Sequence, residues 1–277
     1  MKKSIIWLAS YPKSGNTWVR IFLANYLMNS ATPVPINQVH RFGLGDAVAK
    51  LYRKVAGRDF DLNDPALVLS LRDAVLRGIV ANDADVNFVK THAIKRNLPE
   101  CDLIPAKYTR SSIYILRNPL DMVLSYARHH GQTPEQAVHS IGHSDNATIS
   151  HGEAVVTPMG SWSEHVNAWT ARAPWPQVVI RYEDMLADPT REFTRILTLI
   201  GMPIEAGRLQ RAIDHASFKE VKKQEEEHGF VEKSVSAESF FTAGKSGAWK
   251  ADLSADLAAQ IIKDHGPTMK RFGYLDA

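Results

Sequence analysis

The chain has 277 residues, 44% of them hydrophobic, with a formal net charge of +3 and a single cysteine, Cys101. A prior of roughly 150 residues per domain admits one large or two small units, and because α/β folds often run long as one, a single domain over residues 1–277 is expected. The modest charge argues against a nucleic-acid binder, one cysteine excludes an internal disulfide, and no stretch approaches the roughly 20 apolar residues of a membrane span. The two N-terminal lysines and the short apolar run after them are interrupted by Pro12-Lys13 too early for a secretion signal, so a soluble, cytoplasmic protein is expected.

Ile5-Ile6-Trp7-Leu8 is an apolar, β-favouring run that suits a buried strand of a parallel sheet. Tyr11-Pro12-Lys13-Ser14-Gly15-Asn16 then supplies turn chemistry, and from Thr17 the apolar spacing becomes helical through Val19, Phe22, Leu23, Tyr26 and Leu27. Strand, tight loop and helix N-terminus together make an anion site, to which Lys13 adds a full charge. The lysine precedes Ser-Gly, so this is not the ordinary G-x-x-x-x-G-K-[ST] phosphate loop.

Further along, residues 39–57 read as a helix with Val48, Leu51, Tyr52 and Val55 on one side, and Asp64-Pro65 starts another that runs to about Val80. A strand over Val86 to Val89 ends in Lys90-Thr91-His92, and one over Ser112 to Leu116 ends in Arg117-Asn118-Pro119, where Asn118 caps a helix carrying Ser125. Strand ends are where open α/β sheets gather their chemistry. Residues 129–160 are polar with little periodicity, and read as a long, mobile acceptor-site loop. Its His139, His143 and His151 suggest a metal site by spacing, but no carboxylate or cysteine pattern supports one.

A helix follows from Gly160-Ser161-Trp162, then a strand Val178-Val179-Ile180 that ends in Arg181-Tyr182-Glu183-Asp184. Glu183 and Asp184 read as an acidic helix start, with an acid/base pair as the alternative. Residues 189–200 and 253–271 read as packing helices, and the mixed-charge run 222–233 as a solvated helix or hinge without chemistry.

The octet YPKSGNTW resembles the 5′-phosphosulfate loop of the PAPS-dependent sulfotransferases, YPKSGTTW in family pattern, with Asn16 for the first Thr. Four further segments resemble the family in order: VKTH, LRNPLDMVLSY, the Y-E-D segment at Tyr182, and the stretch from Ser217-Phe218 to GKSGAWK. The resemblance implies a P-loop-like parallel sheet flanked by helices, and transfer of a sulfuryl group from 3′-phosphoadenosine 5′-phosphosulfate (PAPS) to a hydroxyl or amine of a small-molecule acceptor, leaving adenosine 3′,5′-bisphosphate (PAP). It implies His92 as general base, Lys13 and Lys90 on the reacting groups, and no metal. Ser14, Gly15, Asn16 and Thr17 would hold the 5′ end, Arg117 and Ser125 the 3′-phosphate. Trp18 and Phe218 would flank the adenine, with Ser217 in the stretch that covers it and Tyr182 near the cofactor, while Gly244 would offer a backbone N–H in the C-terminal motif that contacts the 3′-phosphate. The C-terminal family motif RKGxxGDWK departs here, with Thr242 and Ala243 for Arg and Lys and Ala248 for Asp; Lys245 is the residue expected to restore the charge. The runs WLASYPKSGNTW, VKTH, LRNPLDM and GSW look most like bacterial enzymes that sulfate small molecules, glycopeptide antibiotic scaffolds among them. A nucleotide-dependent kinase and a non-catalytic bisphosphate binder are the alternatives, and the sequence leaves a homodimer open.

Overall fold

β1 (Ser4–Ser10) is buried along its whole length. Its side chains alternate between two cores: Ile5, Trp7 and Ala9 enter one, Ile6 and Leu8 the other. That is why the strand reads as an unbroken apolar run; both faces of the sheet are covered. The computed structural model describes residues 3–150, 152–234, 236–242 and 244–276. His151 and Ala243, both singled out in the sequence, lie outside the described residues.

The chain passes from β1 into α1 (Asn16–Met28), a 3-10 helix over Ile36–Phe42, β2 (Leu44–Gly45), α2 (Ala49–Ala56) and α3 (Pro65–Val80). β3 (Val86–Thr91) and β4 (Thr109–Leu116) then flank β1 on either side, each in parallel register. After α4 (Pro119–His130), α5 (Pro134–Gly142), the small antiparallel pair β5 (Ala147–Thr148) and β6 (Thr157–Pro158), and α6 (Trp162–Thr170), β7 (Gln177–Arg181) joins β4. The remainder is helical: α7 (Tyr182–Ala187), α8 (Pro189–Ile200), α9 (Ala206–His215), α10 (Phe218–His228), α11 (Trp249–Asp252) and α12 (Ala255–Arg271). The main sheet is a five-stranded parallel one in the order β2-β3-β1-β4-β7, with helices on both faces. α1, α8 and α9 cover one face; α3, α4, α5, α6 and α12 cover the other.

Caps explain several boundaries. Asp64 accepts from the Leu67 N–H ahead of Pro65, and Asp188 from Arg191 ahead of Pro189, which fixes α3 and α8 where the sequence expects them. Two expectations are corrected. The stretch 39–57 is not one helix: Gly43 lies against Arg20, where a Cβ would come within 2.7 Å of Cδ, and Leu44-Gly45 pairs with Val89-Lys90 at the sheet edge. Nor is 129–160 a long irregular loop. α4 runs on through His130, and Thr133 and Gln136 form a reciprocal capping box that starts α5.

At the edge of the sheet, buried Asp46 fixes the end of β3. Its carboxylate accepts from Arg72 of α3 and from the Thr91 hydroxyl, each at 2.7 Å, while its N–H donates to the Lys90 carbonyl. Removing it leaves a buried arginine without a counter-charge. Asp46→Ala should therefore destabilise the fold by about 3–5 kcal/mol; a urea denaturation midpoint within error of wild type would refute that role.

Candidate active site

Parallel register brings the strand ends to one side of the sheet: Ser10, Thr91, Leu116 and Arg181 finish β1, β3, β4 and β7. The segments leaving these ends line a cleft of about 460 Å³, within the usual range for small-ligand sites. Lys13, Gly15, Asn16, Thr17 and Trp18 come from the loop after β1; Lys90 and His92 from the end of β3; Arg117 and Ser125 from the β4–α4 unit; Tyr182 from the end of β7; Ser217, Phe218 and Gly244 from the C-terminal third. Two expected residues lie elsewhere: Ser14 is wholly buried behind the loop, and Lys245 is exposed and not part of the lining.

The loop is strained where it turns. Lys13 (φ 66) and Gly15 (φ 106) both have left-handed backbone, a conformation that disfavours every residue but glycine. Asn16 pins the turn by donating to the Leu8 carbonyl at 2.8 Å. α1 then opens with no side-chain cap, so its first N–H groups stand available to an anion. Arg117 reaches across from the end of β4: one Nη donates to the Lys13 carbonyl (3.3 Å), the other to the Lys245 carbonyl (3.5 Å), and the guanidinium stacks on Tyr182 at 4.3 Å.

His92 is oriented by β1. Its Nδ1 lies 2.7 Å from the Ser10 carbonyl, which has only lone pairs to offer, so Nδ1 carries the proton and Nε2 keeps a free lone pair. Burial, and after it Lys90, holds the imidazole well below its ordinary pKa, so it is neutral. Its backbone is fixed in turn by His165 of α6, whose Nε2 donates to the His92 carbonyl (3.2 Å) while Nδ1 accepts from the Tyr114 hydroxyl (2.9 Å). Burial likewise keeps His165 low, at about 3.

Sequence reasoning misses several functional groups. Glu232, in the run read as solvated, lines the cleft; it accepts from both Nη atoms of Arg20 (2.7 and 2.6 Å) and lies 3.7 Å from Lys90 Nζ. Burial raises its pKa, but Lys90 and Arg20 outweigh that and hold the carboxyl well below its usual range. Glu225, in the same run, binds the C-terminal strap: it accepts from Ser239 Oγ (2.8 Å) and from the N–H groups of Phe240 (2.6 Å) and Phe241 (3.0 Å). Asp121 of α4 fastens the strap again through the N–H groups of Gly247 (2.7 Å) and Trp249 (3.0 Å). Phe240, Phe241, Thr242, Gly244 and Ala248 of the strap line the cleft, with Phe240 under Lys13 Nζ at 3.5 Å and Gly244 against the Phe218 ring. Arg128, on α4, also lines the cleft. Glu183 is no free acid: it accepts from the Asn118 N–H and the Tyr274 hydroxyl, both at 3.0 Å, which favours the structural reading.

A cation-lined cleft at the strand ends, with an uncapped helix start and a neutral histidine, defines a group-transfer site for an anionic nucleotide-like ligand. Known proteins point the same way. The sulfotransferase domain family matches residues 3–273. Among curated relatives, sulfotransferase 1A1 of Canis lupus familiaris is 24% identical over 273 residues (96% of this chain, 83% of that protein), and flavonol 3-sulfotransferase of Flaveria bidentis is 24% identical over 274 residues (93% and 79%). Mouse sulfotransferase SULT7A1 complexed with PAP superposes with a TM-score of 0.64 at 17% identity, covering 98% of this chain and 85% of that one. The chain belongs to the sulfotransferase family. It is an enzyme of the PAPS-dependent class, transferring a sulfuryl group to small-molecule acceptors.

Gly15 tests the loop. A Cβ there would lie 2.8 Å from the Tyr182 ring and force alanine to φ 106. Gly15→Ala should lower stability by about 1–3 kcal/mol and weaken PAP binding together, as read by thermal melting and titration calorimetry. Unchanged affinity would show that the turn geometry does not matter to the ligand.

Proposed function

We propose that His92 is the general base, with Lys13 and Lys90 stabilising the charges that move during sulfuryl transfer. The observation that carries this is the fixed, neutral imidazole, its Nδ1 on the Ser10 carbonyl, in the same cleft as both lysines. PAPS, when bound, supplies the activated sulfuryl group. The residues fit such a ligand: Arg117 Nε is buried without a partner, the start of α1 is uncapped, and Lys13 has no carboxylate within 4 Å among the described residues. His92 Nε2 takes the acceptor's proton as the acceptor oxygen bonds to sulfur and the bond from sulfur to the 5′-phosphate oxygen breaks. Lys13 meets the charge left on that oxygen, and Lys90, shared with Glu232, faces the sulfuryl oxygens. Positioning and charge stabilisation carry most of such a loose, in-line displacement.

Thr17 and the backbone of residues 14–16 hold the 5′ end, Arg117 and Ser125 the 3′-phosphate, and Trp18, Tyr182, Ser217, Phe218 and Gly244 the nucleoside. The reading takes residues 1–277 as one cytoplasmic sulfotransferase domain, uses no metal and no nucleic-acid partner, and leaves self-association to be measured. No helix of the described residues is long and apolar enough to cross a membrane.

His92→Ala should cut turnover by about 10²–10⁴ with PAP affinity nearly intact; full turnover with any accepted acceptor would remove His92 from the role. The lysine gives a second test. Burial, then Lys90, lowers Lys13 to about 7 in the open cleft, so above that pH an anion must bring a proton with it. PAP affinity should fall as pH rises from 7.5 to 9, by up to about tenfold per unit, with proton uptake visible as a buffer-dependent binding enthalpy. Lys13→Met should flatten that slope, and a flat wild-type profile would overturn the assignment.

A further inference from the structure

Arg117 and Arg128, which are half-buried and exposed respectively, differ from the arginines buried in this molecule. Arg20 holds Glu232 at 2.6 Å and Arg72 holds Asp46 at 2.7 Å, whereas neither Arg117 nor Arg128 has a carboxylate within 4 Å among the described residues. Both line the cleft and lie close enough that burial and the Arg117 charge depress Arg128, against a weaker opposing pull from Asp252 at the cleft wall. Two like charges brought together with no carboxylate in direct contact destabilise a fold; an anion held by both reverses the sign. What each guanidinium touches now is weak and easily exchanged. Arg128 Nη2 is 3.4 Å from Thr242 Oγ1 and Arg117 Nη2 is 3.5 Å from the Lys245 carbonyl, so each touches the strap through one long hydrogen bond. On α4, Asp121, Ser125 and Arg128 are spaced i, i+4, i+7 and share the face that lines the cleft.

We propose that Arg128 and Arg117 together seat the 3′-phosphate of the nucleotide, with Ser125 beside them, and that Arg128 supplies from α4 the cation missing from the strap at Thr242. Arg128 is thus a specificity-determining residue, one that separates a 3′-phosphorylated adenylate from a plain one. Lys245, exposed and outside the lining, takes no part. The proposal rests on the nucleotide-binding reading above and deepens it.

The test is calorimetric titration of the full-length protein with PAP and with 5′-AMP, comparing wild type with Arg128→Ala, Arg128→Lys, Arg117→Ala and Lys245→Ala. Arg128→Ala should weaken PAP by about 10- to 100-fold, the range of one charge-assisted contact, and leave 5′-AMP within about twofold. Arg128→Lys should recover part of the loss, because it restores charge without the fork. Arg128 is exposed at its tip, so the variant should fold, and its unliganded melting temperature should not fall. If Arg128→Ala keeps the wild-type PAP-to-AMP ratio, or if Lys245→Ala collapses it instead, the proposal is overturned while the sulfotransferase reading stands. If wild type itself does not prefer PAP over 5′-AMP, the reading beneath the proposal fails first.

Discussion

A strand presents its end only as accurately as its neighbours hold it, and β1 is held on both sides. Its residues pair in parallel with β3 from Ser4 to Ala9 and with β4 from Ile5 to Ser10, while its alternate side chains are fixed in two separate cores. Sliding β1 by one residue would exchange Ile5, Trp7 and Ala9 for Ile6 and Leu8, so each core would receive side chains of the wrong size and shape. The Lys13 loop, the Lys90-Thr91-His92 tripeptide and Arg117 therefore reach the cleft at a level set by apolar packing well beneath it. The hydrogen bond from His92 to the Ser10 carbonyl is the point where that packing becomes chemistry: the end of one strand sets the tautomer of a side chain on the next.

The electrostatics of the cleft run against the stability of the empty protein. Lys13, Lys90, Arg117 and Arg128 crowd one volume, and burial lowers the charged forms of Lys13 and Lys90. Glu232 is the acid within reach of Lys90 in that wall, and it is also bonded bidentately to Arg20, so one carboxylate serves two cations. An anionic ligand would balance this excess of positive charge, and the strained backbone at Lys13 sits at the same spot.

Legibility in the sequence tracks the range of the interactions. β1, α1, the Asp64-Pro65 and Asp188-Pro189 helix starts and the strand-end residues rest on neighbours a few positions away, and a local pattern carries them. Glu232 cannot be read this way, since its partner Arg20 lies 212 residues earlier; within its own run it is one acid among many. Glu225 is hidden for the same reason, its partners being backbone N–H groups at 240 and 241. The break near Gly43 depends on Arg20 of α1 packing against it, which no periodicity announces. The α5 helix is a different case: Thr133-Pro134-Glu135-Gln136 carries a capping signature in plain view, masked by the polar residues around it. Arg128 is equally visible, three residues beyond Ser125, but its meaning depends on Arg117 facing it.

The strap is fastened through its main chain. Glu225 and Asp121 take their hydrogen bonds from four backbone N–H groups and one serine hydroxyl, so, Ser239 apart, these two latches do not depend on the side chains of the residues they hold. Such a fastening is blind to mutation in the segment it secures. Substitution at Thr242 or Ala248 removes no latch bond, whereas losing Glu225 or Asp121, on helices outside the strap, releases one latch outright. The stretch that departs from the family pattern is thus held in place by two carboxylates that lie outside it.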